Sequence, residues 1–154
     1  GKTFNFLIEN GMANKENLEL HLSTVFTELR LKKYIELRSL DACEWDCHCA
    51  GPAFFAGLIY GGLEETYEII KNWKKDEIKN AYSVSCKKGL RTEINGQDML
   101  FWSKELLKIS KNGLNKRSFL NKKNNDETIY LKNIENILTN NLTKAEEELN
   151  KLTK

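Results

Sequence analysis

The segment that most restricts what this chain can become is RLKKYIELRS, residues 30–39. Ile35, Leu37 and Ser39 point one way, and Arg30, Lys32, Tyr34, Glu36 and Arg38 point the other. A period of two with β-branched and aromatic residues specifies a strand, over about residues 31–39. It is the one convincing strand in the sequence. A lone strand leaves its ladder N–H and C=O groups without partners. The pattern therefore demands either pairing with a second copy or sheet neighbours from polypeptide outside these 154 residues.

The remainder reads as helices. Residues 1–13 are a loop or short turn broken at Asn10-Gly11. In NKENLELHLSTVF, Leu18, Leu22 and Val25 or Phe26 fall at helical spacing, with Asn14 or Asn17 as the cap. Gly51-Pro52 opens the next helix, with proline at its first position. Residues 53–60 are apolar all round, which predicts a buried helix ended by Gly61-Gly62. Leu63, Tyr67, Ile70 and Trp73 share one stripe, KKDEIKNAYSV gives a further short helix, and Gly89 and Gly96 bracket a loop. Residues 97–112 are amphipathic, with Met99, Trp102, Leu106 and Ile109 in register and Gly113 as the expected C-cap. A basic stretch follows in which helix fades into loop. DETIYLKNIENIL then starts from Asp126 as cap and carries Leu131, Ile134 and Leu138. Thr143 and Glu146 have the spacing of a capping box. The fold class is α+β: one strand and then a helical array.

Charge excludes some functions. With 24 basic and 22 acidic residues the net charge is +2, and the lysines are spread along the chain. That is no electrostatic footprint for nucleic acid. No run approaches the ~20 apolar residues of a membrane span, and the first residues lack the pattern of a secretory signal. The expectation is a cytoplasmic protein with reduced thiols. The chain begins with Gly rather than Met, which suggests a piece of a longer polypeptide.

CEWDCHC, residues 43–49, gathers Cys43, Cys47, His48 and Cys49. Structural zinc sites use ligand pairs two to four residues apart and a second pair further along. Here Cys47, His48 and Cys49 are adjacent, Cys86 stands alone, and no second pair follows. The expectation is partly buried thiols beside Trp45 at the mouth of a helix, with His21 and His48 in packing or hydrogen-bonding roles.

Glu36 and Arg38, two apart on a strand, sit on one face roughly 6–7 Å apart. Two readings stand. One is a solvated surface pair that contributes little. The other is a phosphoryl-transfer site: a carboxylate is a hard oxygen ligand for Mg²⁺, and an adjacent guanidinium forks onto a phosphate that the metal bridges.

The run HLSTVFTELRLKKYIELRSLDACEWDCHCAGPAFFAGLIYG, residues 21–61, resembles the central signature of glutamate–cysteine ligase in its plant and alphaproteobacterial branch. DETIYLKNIENILTNNLTKAEEEL is similar to a later segment of the same family. The resemblance implies ATP-dependent joining of the glutamate γ-carboxylate to the cysteine amine through a γ-glutamyl phosphate. This is the first step of glutathione synthesis. It implies a glutamine-synthetase-like sheet with ATP and Mg²⁺ on its inner face. It makes Glu36 the metal ligand, Arg38 the catalytic and phosphate-binding residue, and Arg30 a further substrate or phosphate contact. The partners it implies are glutamate, cysteine, ATP and the remaining N-terminal part of the enzyme, with no nucleic acid and no membrane. On that reading residues 1–154 are one piece, the C-terminal part of a longer catalytic domain, inactive alone. This sequence departs from the family at Thr27, Asp46, Cys47, Gly51 and Phe55, and Cys43 and Cys47 have no counterpart there. The alternative is a non-catalytic helical module that binds a protein partner through Trp73, Trp102 and its apolar helices.

Overall fold

The computed structural model describes residues 1–41 and 43–153. The chain groups into two compact units, residues 1–41 and 42–154. It is α+β: mostly helical, with two small antiparallel hairpins.

In the first unit, α1 (Phe4–Glu9) and α2 (Lys15–Ser23) precede β1 (Leu29–Leu31) and β2 (Ile35–Leu37). α1 replaces the loop expected over residues 1–13. Its start is set by Thr3, whose hydroxyl accepts from the Phe6 N–H, and Gly11 supplies the positive φ that breaks the chain after it. α2 begins at a reciprocal capping box between Asn14 and Asn17, so both expected caps take part.

The single strand expected over residues 31–39 is instead a hairpin. β1 and β2 pair antiparallel, with Arg30 opposite Glu36 and Leu31 opposite Ile35. The Arg38 N–H donates to the Glu28 carbonyl at 2.8 Å and extends the ladder. Backbone pairing demanded a partner, and the nearest one was the preceding basic stretch, read from the sequence as the front of the same strand. The faces are unequal. Leu29, Leu31 and Ile35 are 51%, 78% and 61% exposed, whereas Arg30 and Glu36 on the other face are half-buried. An apolar hairpin face open to solvent is the reverse of what an isolated unit would select.

The second unit is built around α6 (Met99–Arg117). α3 (Ala50–Ala56) runs into a wide π turn (Gly57–Gly61), and both pack on α6. Pro52 takes the third position of α3 rather than the first. It is still in the opening turn, where a missing N–H costs nothing. The crossing with α6 is close because three residues lack side chains. A Cβ at Gly113 would overlap the Gly57 carbonyl and Gly61, and one at Gly57 would overlap Ser110. Gly113 therefore lies inside α6 and is not its C-cap; the helix ends at Ser118 in a left-handed conformation. Ser110, fully buried, donates from its hydroxyl to the Phe54 carbonyl at 2.8 Å.

Ala53, Leu90, Leu107, Leu114, Leu131 and Leu138 form the core cluster, with Phe54, Ile134 and Ile137 packed around it. Leu131 ends a 3₁₀ turn (Glu127–Leu131) that opens at Asp126 and leads into α7 (Lys132–Asn140). α8 (Lys144–Leu152) starts from the Thr143–Glu146 capping box that the sequence specified.

α4 (Leu63–Ile70) and α5 (Lys75–Lys88) complete the helices. The bracketed loop contains a second hairpin, β3 (Glu93–Ile94) with β4 (Gln97–Asp98), turned by Asn95 and Gly96 at φ 51° and 76°. Asn-Gly is the sequence signal of such a turn. Trp102 donates from its indole to the Ile94 carbonyl at 2.8 Å and packs against Trp73, so both tryptophans serve internal contacts. Leu63, Tyr67 and Ile70, from the expected stripe of α4, are exposed. No helix among the described residues is long and apolar enough to cross a membrane.

Candidate functional site

The sequence-selected residues Arg30, Glu36 and Arg38 all lie on or beside the first hairpin. Its register places Arg30 directly across from Glu36. Cross-strand neighbours have Cβ atoms about 5 Å apart, and the side chains meet. Arg30 Nη1 lies 3.6 Å from Glu36 Oε2, and Lys32 Nζ lies 3.4 Å from the same oxygen. Arg30 also donates from Nη2 to the Ser23 carbonyl at 3.0 Å. Its cation thus sits at the C-terminus of α2, where exposed carbonyls favour positive charge.

Two atoms of this group are shielded from solvent without a hydrogen-bond partner: Arg30 Nε and Glu36 Oε2. Arg30 Nε thus spends no donor within the hairpin, and Glu36 Oε2 is held by its two ion pairs rather than by a hydrogen bond. Beside them is a cleft of about 400 Å³, lined by Glu19, Leu22, Ser23, Arg30, Leu31, Lys32 and Lys33. Its polar lining is mainly cationic. Lys32 and Lys33 were not among the expected site residues. No local signal marked them: on one continuous strand Lys32 and Lys33 lie on opposite faces, and both line the cleft only because the chain turns between β1 and β2.

Arg38 stands apart from this group. Its guanidinium lies 5.1 Å from the centroid of the Phe26 ring, a cation–π contact. No ion pair joins Glu36 to Arg38 among the described residues; the carboxylate pairs across the hairpin rather than along the strand. Cross-strand neighbours are nearer than residues two apart on one strand.

Magnesium, implied by the resemblance, is matched in ligand type. Glu36 Oε2 is a carboxylate oxygen, here ion-paired with Arg30 and Lys32, and Mg²⁺ is commonly held by one or two carboxylates together with substrate phosphates. No group of three or more His, Cys, Asp or Glu side chains among the described residues is placed to hold a metal. Glu36 thus offers a single carboxylate of the type such an ion takes. The flanking Arg30 and Lys32 cations suit the phosphate that accompanies such an ion.

The cysteine cluster resolves differently from expectation. Cys43 and Cys47 form a disulfide, while Cys49 and Cys86 are free and exposed. Cys43 precedes a 3₁₀ turn (Trp45–Cys47) that Cys47 ends, and their Cα atoms are 6.1 Å apart, within bridging range. His48 Nδ1 is 3.0 Å from the Glu44 carbonyl, and His21 stacks on Phe4, so both histidines serve local contacts.

A cationic cleft in the hairpin unit has the charge to receive an anion but does not define a family. Comparison with known proteins supplies the family. The family model of glutamate-cysteine ligase family 2 matches residues 5–152, and the chain belongs to that family. It is 32% identical over 133 residues to the chloroplastic glutamate–cysteine ligase of Solanum lycopersicum, covering 85% of this chain and 24% of that protein. Glutamate–cysteine ligase A, chloroplastic, of Oryza sativa subsp. indica is 32% identical over 134 residues, covering 86% and 26%. The Arabidopsis thaliana chloroplastic ligase is 30% identical over 136 residues, covering 85% and 24%. The chain thus spans about a quarter of the length of the relatives it matches.

Proposed function

We propose that this chain supplies one wall of the active site of an ATP-dependent glutamate–cysteine ligase that takes glutamate, cysteine and ATP. The observation that carries the reading is the cross-strand group of Arg30, Glu36 and Lys32. Within it Arg30 Nε is shielded without a hydrogen bond, Glu36 is ion-paired with both cations, and a cationic cleft lies beside it. Arg30, Lys32 and Lys33 hold the polyphosphate. Arg38 moves from its resting place over Phe26 onto the transferring phosphate and steadies the charge that develops there. Cationic donors aimed at that developing charge are a main source of rate in phosphoryl chemistry. Glu36 would be a ligand of Mg²⁺, which supplies charge neutralisation at the phosphate oxygens.

The exposed apolar face of β1 and β2 supports a place inside a larger, glutamine-synthetase-like sheet, and the coverage of the relatives supports a longer polypeptide. On this reading the remaining part of the enzyme completes the site, and residues 1–154 are inactive alone. A cytoplasmic location belongs to the same proposal.

The test is ADP formation with Mg²⁺, glutamate and cysteine. It is run on this chain alone and on a polypeptide that joins it to the part matching the rest of the relatives' length. Activity is expected only in the longer form. Arg38→Ala there lowers turnover by ~30- to ~1000-fold, as losing about 2–4 kcal/mol of charge stabilisation requires. Unchanged turnover in Arg38→Ala removes Arg38 from the chemistry. No activity in the longer form transfers the weight to a non-catalytic binding module, for which the exposed α4 residues Leu63, Tyr67 and Ile70 provide an apolar face.

A further inference from the structure

We infer that the Cys43–Cys47 disulfide is a reversible oxidation site that exchanges with soluble thiols through Cys43. The bond closes the turn between Asp41 and α3, and neither cysteine takes part in the proposed ligase chemistry. Its two sulfurs are unequally placed. Cys43 is exposed and Cys47 is buried, so an incoming thiolate reaches the Cys43 sulfur and Cys47 is the leaving group.

The turn does not depend on the bond alone. Asn133 on α7 donates from Nδ2 to the Asp46 carbonyl at 3.0 Å, and the Cys47 N–H donates to the Glu44 carbonyl at 3.0 Å. The Cys47 sulfur lies 3.0 Å from that same Glu44 carbonyl, which accepts from the S–H group once the bond is open. Both redox states therefore have their polar groups satisfied, and the bond opens without unfolding its surroundings.

The exchange balances with two equivalents of a soluble thiol. One thiolate attacks the Cys43 sulfur, the bond to Cys47 breaks, and Cys47 leaves as a thiolate that takes a proton from water. A second thiolate attacks the mixed disulfide. It releases Cys43, which is protonated in turn, and a small-molecule disulfide. Two thiols are oxidised and the protein disulfide is reduced; the reverse sequence re-forms it.

The experiment uses the full chain in dithiothreitol buffers of varied reduced-to-oxidised ratio, quenched with N-ethylmaleimide and weighed intact. Of four cysteines, two adducts are expected in oxidising buffer, at Cys49 and Cys86, and four in reducing buffer, with an unchanged far-ultraviolet spectrum. The reduction rate rises about tenfold for tenfold more thiol, as direct attack requires. Cys43→Ser gives three adducts in either buffer, and Cys49→Ser exchanges at the rate of the parent. Cys47→Ser, treated with oxidised glutathione and mapped by peptide mass, carries glutathione on Cys43 in addition to any on the exposed Cys49 and Cys86. Four adducts in oxidising buffer, reduction that waits for denaturant, a rate independent of thiol concentration, or loss of exchange in Cys49→Ser would each overturn the inference. None of these readouts depends on ligase activity.

Discussion

Gly113→Ala tests the closest packing in the molecule. If Gly113 were a helix C-cap in a left-handed conformation, alanine would impose backbone strain at the helix end. Inside α6 the backbone is helical, and alanine in a helix interior is worth about 1 kcal/mol more than glycine. The opposing effect is steric. The new methyl group falls on the Gly57 carbonyl and on Gly61, which are backbone atoms that cannot rotate away. Overpacking typically costs 1–3 kcal/mol, occasionally more, and a clash between two backbones belongs at or above the top of that range. The net expectation is a loss of about 2 kcal/mol, roughly thirtyfold in the folded-to-unfolded ratio. For a chain of this size that lowers the melting temperature by about 4–8 °C. Urea unfolding followed by far-ultraviolet circular dichroism measures it, with Asn112→Ala as an exposed control on the same helix. A Gly113→Ala protein as stable as the parent would show that α3 and α6 do not cross at Gly57 and Gly113.

Three further outcomes are expected. Glu36→Gln removes the ion pairs with Arg30 and Lys32, but the carboxylate side chain is 34% exposed. The stability change is therefore below about 1 kcal/mol in a denaturant titration, while ADP formation by the longer polypeptide collapses; a stability loss without an activity loss would make Glu36 purely structural. Leu131→Ala empties a site that is 0% exposed, so unfolding should become easier by about 2–5 kcal/mol; a change under 1 kcal/mol would mean that the core lies elsewhere. The Thr143 N–H, and then Arg91, lower the Glu146 carboxyl from 4.5 to about 2. A depressed folded-state pKa gives stability that is full above 4.5 and fades as pH falls toward 2. The urea midpoint should drop through that window, and the drop should shrink in Glu146→Gln; an identical pH profile in the variant would exclude Glu146 as its source.

The sequence by itself determined the elements whose signals are local. The Thr143 capping box lies within four residues of chain and forms as read, and Asn14 caps α2 with Asn17 as its reciprocal partner. Leu131 and Leu138 likewise enter the core as read, whereas α6 buries Leu107, Ser110 and Leu114 in place of the expected Met99, Trp102, Leu106 and Ile109, which are half-buried. The Asn95-Gly96 turn was equally local, but its strands are two residues each and offer no period to read. The family, too, was legible in the chain itself, because a long ungapped motif carries it.

Tertiary structure decided what depends on partners distant along the chain or across a turn. Alternation over residues 30–39 cannot distinguish one strand from two folded on each other, since both keep a period of two. Only the closed hairpin puts Glu36 against Arg30 and leaves Arg38 over Phe26. Gly113 looked like a helix end because a glycine that frees φ and one that admits a neighbouring backbone are the same letter; Gly57, fifty-six residues earlier, settles which it is. The bond between Cys43 and Cys47 likewise required the turn that brings their Cα atoms to 6.1 Å. Local propensity needs only neighbouring residues, whereas pairing, close approach and cross-linking are set by the position of atoms that the linear order does not place together.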